Sequence, residues 1–243
     1  MSIEQIISPF YTKLPEESFR KELVLGQFCW VPIGYLYKIP FVLEVERADP
    51  QEVYISRFRT VHVSEQHFRG NRKLPIKGLS LRLNEELLVT AAKRRPCIVV
   101  CNSFTTMDEL TERSISLGLL PKHLLYKPIV VVPVYGIKNE HRDGGFPPEV
   151  VARVKVLMYN QFFYLPSYRK IGFEEGIARL DRLNIIIPDH NRAVCDPMPF
   201  ALSEDALGIL LAMLRSLFGS IEEPELEALK EILKESLPQE VFR

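Results

Sequence analysis

Three short, apolar, β-branched runs punctuated by glycine and proline constrain this chain more than any other feature. The most telling is Lys93-Arg94-Arg95-Pro96-Cys97-Ile98-Val99-Val100-Cys101-Asn102. Proline fixes its own φ and pushes the residue before it into an extended conformation. Arg95 is therefore held stiffly at the mouth of the sheet that Cys97 to Cys101 enters. The second run is Leu23-Val24-Leu25-Gly26-Gln27-Phe28-Cys29-Trp30-Val31-Pro32, and the third is Lys127-Pro128-Ile129-Val130-Val131-Val132-Pro133-Val134. Short strands bounded in this way suit a strongly bent antiparallel sheet. Strands at 23–31, 97–101 and 129–134 are expected to share one.

Charge narrows the choice of partner. Lys and Arg total 31, and so do Asp and Glu, so no net field draws the chain to nucleic acid or to a membrane. An RNA-binding surface must then be a local patch. The four cysteines are too few to build a scaffold, and Cys29, Cys97 and Cys101 all fall in apolar strands. They read as buried free thiols in a reducing compartment. The C-x3-C pair is a β-run without a second ligand pair, so no metal site is expected. Met1 to Gln5 has no basic segment leading into an apolar one, and the most apolar helical run, Ala206 to Phe218, contains Arg215. That run is shorter than the roughly 20 residues a bilayer span needs. The expectation is a cytoplasmic protein without membrane contact. Gly144-Gly145 lacks the helix and lysine of a phosphate-binding loop, and nothing suggests a nucleotide cofactor.

Taken in order, residues 1–22 read as a short helical extension, with Pro15-Glu16-Glu17 as a helix start. Within 35–92, Phe41 to Val45 and Val53 to Phe58 read as a hairpin turning at Asp49-Pro50. The basic segment His67 to Gly78 is either a solvated loop or a phosphate-contacting loop, with Phe68 available to stack on a base. Leu81 to Leu88 is strand or helix. Asn102 to Leu120 reads as loop and then helix, and His141 to Pro148 as loop. The β-branched stretch Val150 to Tyr164 reads as strands, Glu174 to Leu183 as a short helix and Asn184 to Pro188 as a strand. Ser203 is expected to cap a helix over Glu204 to Phe218 that stops at Gly219. A last helix from Pro224 carries Leu226, Leu229, Leu233 and Leu237 on one face. No internal repeat is visible.

Gly opening the first strand, Arg-Pro opening the second and Pro closing the third, in that order, resemble the MazF/PemK family of toxin ribonucleases. The resemblance is carried by residues 23–32, 93–102 and 127–136, and more weakly by Leu157-Met158-Tyr159-Asn160-Gln161 and the Ser203–Gly219 helix. It implies a β-rich α+β fold, a small SH3-like β-barrel at 23–219 with a β-containing insertion at 35–92 and C-terminal helices. Residues 1–22 and 220–243 would flank it as helical additions. It also implies a metal-free endoribonuclease acting on single-stranded RNA, a homodimer, and an antitoxin peptide as protein partner. A non-catalytic binding member of the same fold is the alternative.

Cleavage by this route has the RNA 2′-hydroxyl attack the adjacent phosphorus, which needs a base, an acid and a cation for the developing charge. Arg95 suits the cation, because guanidinium binds phosphate bidentately and keeps its charge. Base and acid would come from Glu65, His67 or His141. RNA contacts would come from Lys93, Arg94, Tyr135, Lys138, Gln161, Phe68 and Arg69. The chain departs from the family in two places. More than sixty residues separate Trp30 from Arg95, with Ser64-Glu65-Gln66 between them, and Pro133 is followed by Val134-Tyr135 where the family has a small hydroxyl residue.

Overall fold

A computed structural model describes residues 1–35, 38–46, 57–68, 81, 85–102, 116–117, 128–138, 145–169, 173–188, 192–219 and 223–237. The chain divides into two compact units, Met1–Pro32 with Arg94–Arg243, and Ile33–Lys93. The strands in chain order are β1 Tyr11–Lys13, β2 Gln27–Gly34, β3 Phe41–Glu46, β4 Arg57–His62, β5 Leu88–Val89 and β6 Ala92–Cys101. They continue with β7 Ile129–Gly136, β8 Phe162–Leu165, β9 Gly176–Arg179, β10 Asn184–Ile186 and β11 Asp196–Leu202.

Eight of these form one sheet in the order β1-β11-β2-β6-β7-β9-β8, with β10 also on β7. The three strands expected from the sequence are thus consecutive neighbours, and Cys97 stands opposite Pro133 in the antiparallel β6–β7 pair. One edge of β7 serves two partners, β10 at Ile129–Val131 and β9 at Val134–Gly136. Pro133, which has no N–H to give, falls at the changeover, where that loss is tolerated. Register irregularities between Val99 and Cys101, and between Pro197 and Ala201, add curvature. The sheet curls into an antiparallel half-barrel, and the fold is β-rich α+β. Gly26 enters β2 at φ +78°, in the left-handed region that a side chain disfavours.

Both faces of the central strands are buried. Phe28, Ile98 and Val132 point into the main core, while Cys97, Val99 and Val131 are fully buried on the other face. Gln27 is buried too, and its amide is satisfied by donating to the carbonyls of Phe19 (2.8 Å) and Met198 (3.1 Å).

Several sequence expectations are corrected. Residues 1–22 are not a helical extension. Helix α1 covers Ile3–Ile6, β1 pairs with Phe200–Leu202, and Ile3, Ile7, Phe10 and Tyr11 lie in the core. Pro15 to Phe19 closes a turn instead of starting a helix. The Val150–Tyr164 stretch begins as helix α2, Pro148–Lys155, and becomes strand only at β8. Pro148 in the first turn presets the helix, and β-branched residues cost it only a few tenths of a kcal/mol each. That cost is outweighed by packing Val150, Val151 and Val154 on the core. Glu174 to Leu183 is strand β9 followed by a 3₁₀ turn at Leu180–Arg182. Gly176 lets β9 approach β7 so closely that a Cβ there would meet Val134 at 2.7 Å.

The C-terminal helices fall where the sequence puts them. Helix α3, Glu204–Gly219, has its Ala206 N–H donated to Ser203 Oγ at 3.3 Å. Helix α4, Pro224–Glu235, buries Leu226 and Leu233 in the core of the first unit, so it is no separate appendage. No described helix is long and apolar enough to cross a membrane.

In the second unit, β3 lies between β4 and β5, with Val42 fully buried. The Tyr35 N–H donates to Ala91 O at 2.9 Å, so the two ends of this segment meet. The Asp49-Pro50 turn, Val53 to Ser56, Arg69 to Gly78, nearly all of the helix placed within Asn102 to Leu120, and His141 lie outside the described residues.

Candidate functional site

Antiparallel pairing fixes the centre of the site. Cys97 faces Pro133, so continuing the register sets Arg95 opposite Tyr135. The Arg95 guanidinium lies 4.2 Å from the Tyr135 ring centroid. A second cation approaches the same ring from the 3₁₀ turn that follows β9. Arg182 Cζ is 5.7 Å from the centroid, and Arg182 Nη1 donates to the Tyr135 hydroxyl at 3.3 Å. Neither Arg95 nor Arg182 has a carboxylate within salt-bridge distance among the described residues. Both are half-buried.

Close by, Arg179 shows what a compensated arginine looks like. Its Nε and Nη2 grip Asp181 at 2.7 and 2.6 Å, and its Cζ lies 4.8 Å from the Phe162 ring. The fork raises the Arg179 pKa and holds the Asp181 carboxyl below the usual carboxylate range, with Arg182 adding to the latter effect. The arrangement is therefore one neutralised pair beside two guanidiniums that share a phenol ring.

The two free cations repel each other. Their Cζ atoms are at most about 10 Å apart, which costs on the order of 2 kcal/mol at an effective dielectric near 20. Cation–π attraction to Tyr135 offsets about 0.5–2 kcal/mol per cation. A phosphate accepting hydrogen bonds from both would convert the repulsion into attraction and use guanidinium's planar donor fork. Such a site binds an anionic backbone and leaves an aromatic edge beside it.

The other sequence candidates scatter. Arg94 alternates to the opposite face of β6, where Nη2 holds Asp196 at 2.8 Å and Arg192 O at 3.4 Å, with Cζ 5.9 Å from the Trp30 ring. It is a structural clasp between β6 and β11. Lys93 is exposed at the start of β6. Lys138 is exposed and lines a cleft of about 470 Å³ with Arg169, Phe173, Glu174 and Glu175. Gln161 uses its carbonyl to accept the Leu180 N–H at 2.9 Å, and so positions the turn that carries Arg182.

Glu65, His67 and Phe68 belong to the second unit. His67 is already engaged there. Its Nδ1 accepts the Ser64 N–H at 2.9 Å, which leaves Nε2 to carry the hydrogen facing Glu44 at 3.5 Å. Arg69 is outside the described residues. Of the ten sequence candidates, the structure brings together Arg95 and Tyr135. The sequence reading missed Arg182, Arg179 and Phe162. Arg182 is 47 residues from Tyr135 in a segment expected to be helical, and no local motif marks it. No protein-family model, curated protein or solved structure matches the chain.

Proposed function

We propose that this chain is a MazF/PemK-like protein whose SH3-like barrel binds single-stranded RNA through its phosphates at Arg95, Tyr135 and Arg182. The observation that carries this reading is the pair of guanidiniums on one phenol ring, neither compensated by a described carboxylate. Pro96 stiffens the backbone of Arg95, and a rigid cation is what a phosphate site needs. The sheet neighbours β2, β6 and β7 support the family resemblance, as does the helix capped by Ser203. A twofold homodimer and an antitoxin peptide belong to the same proposal, as does a cytoplasmic location.

Metal-free cleavage is a second reading, with one observation of its own. The Tyr135 hydroxyl stands inside the cationic cluster, held by Arg182, and a leaving oxygen requires such a proton donor. The test incubates purified protein with mixed single-stranded RNA in excess chelator, beside Arg95→Ala. Binding without cutting, weakened about tenfold or more in the variant and with the salt dependence lowered by about one ion, is the expected result. A 2′,3′-cyclic phosphate product that the variant no longer forms would establish the ribonuclease instead. Wild type that neither binds nor cuts would refute both.

A further inference from the structure

The second unit carries a surface that the Arg95 site does not use. Antiparallel pairing sets Phe41 opposite His62, Leu43 opposite Thr60 and Val45 opposite Phe58. Partners across a ladder point to one side, so Phe41, Thr60, His62 and Phe58 share a face. The opposite face holds the fully buried Val42. The shared face is open: Phe58 is 54% exposed and Phe41 38% exposed. Phe41 and the His62 ring lie 4.7 Å apart between centroids, a small aromatic floor at one end. Phe58 stands four strand positions away, about 13 Å along the sheet at 3.3 Å per residue. Phe68 is a third exposed aromatic ring of this unit. It is displayed at φ +63° from the turn that Ser64 and His67 tie together.

Charge selects the occupant. Residues 33–93 contain ten Lys and Arg against seven Asp and Glu, although the whole chain is neutral. A surplus of positive charge with exposed rings spaced along a sheet is the pattern of a single-strand platform, in which bases stack and the backbone is drawn electrostatically. We infer that the Phe41–His62–Phe58 face of the second unit is a base-stacking platform for single-stranded RNA. This rests on the RNA reading above, and adds to it a site that grips bases rather than phosphates.

The two sites differ in what they should answer to. Binding of a short fluorescein-labelled oligouridylate to the full-length protein is measured by anisotropy across a salt series. Phe58→Ala and Phe58→Leu should each weaken binding about tenfold, with the salt slope unchanged. Phe58→Tyr, which keeps the π-face, should bind like wild type, and all three should melt like wild type because the ring is exposed. The same strand annealed to oligoadenylate should bind more weakly than the single strand; equal affinity would overturn stacking. Arg95→Ala, run in parallel, should lower both affinity and salt slope. If Arg95→Ala alone weakens binding, the platform falls and the phosphate site stands. If the Phe58 variants alone do so, the reverse holds. Wild type without affinity for the strand overturns both, and leaves the exposed face to a protein partner.

Discussion

At Tyr135 one ring serves two cations in different ways. Arg95 lies against its face, across the strand pair, and Arg182 reaches its hydroxyl from a turn two strands away in the sheet. The ring therefore sets the separation and tilt of both guanidiniums, and its hydroxyl fixes only one of them. Tyr135→Phe should keep most of the RNA affinity, because the face that holds Arg95 remains. Tyr135→Leu should lose about as much as Arg95→Ala, on the order of tenfold, since Arg95 then has no surface to lie on. Anisotropy with the same labelled oligouridylate reads the difference. A Leu variant binding as tightly as wild type would mean that the ring plays no part in presenting Arg95.

Strands that the sequence punctuates strongly are the ones that formed as read, and Gly26 tests why. Its φ of +78° costs an L-residue about 1–2 kcal/mol, while a Cβ there would touch Leu207 at 3.4 Å without a severe clash. Gly26→Ala should lower the melting temperature by roughly 2–8 °C in calorimetry. No change would show that the entry to β2 relaxes freely. The β2, β6 and β7 runs, the Ser203 cap and the leucine stripe of α4 were legible because glycine, proline, capping hydroxyl and helical period act locally. The Val150–Tyr164 stretch was not, since its valines carry strand propensity but pack as a helical face. Gly176 hid β9, because the close approach that requires glycine depends on Val134, a residue on another strand. For the site the same division holds. Arg95 and Tyr135 sit on legible strands and meet by register, whereas Arg182 arrives through a turn whose place is set by tertiary pairing.

Two units joined at adjacent strands make the chain separable in principle. The ends of the second unit meet at the Tyr35–Ala91 hydrogen bond, so a short connection can replace what lies between them, and closing a shorter loop costs no extra entropy. Replacing residues 36–91 with a Gly/Ser linker should leave the first unit folded, with its own cooperative melt. The molecule carries its own optical gauge for this. Its single tryptophan, Trp30, lies under Arg94 beside the Asp196 clasp, within the first unit. Indole emission excited at the red edge of its band therefore reports on one seam, where β2, β6 and β11 adjoin, and on nothing in the excised segment. The shortened chain should show the wild-type emission maximum, and its shift to that of a solvated indole should mark the melt of the first unit. A chain whose tryptophan is water-exposed before any heating would show that the seam depends on the segment removed.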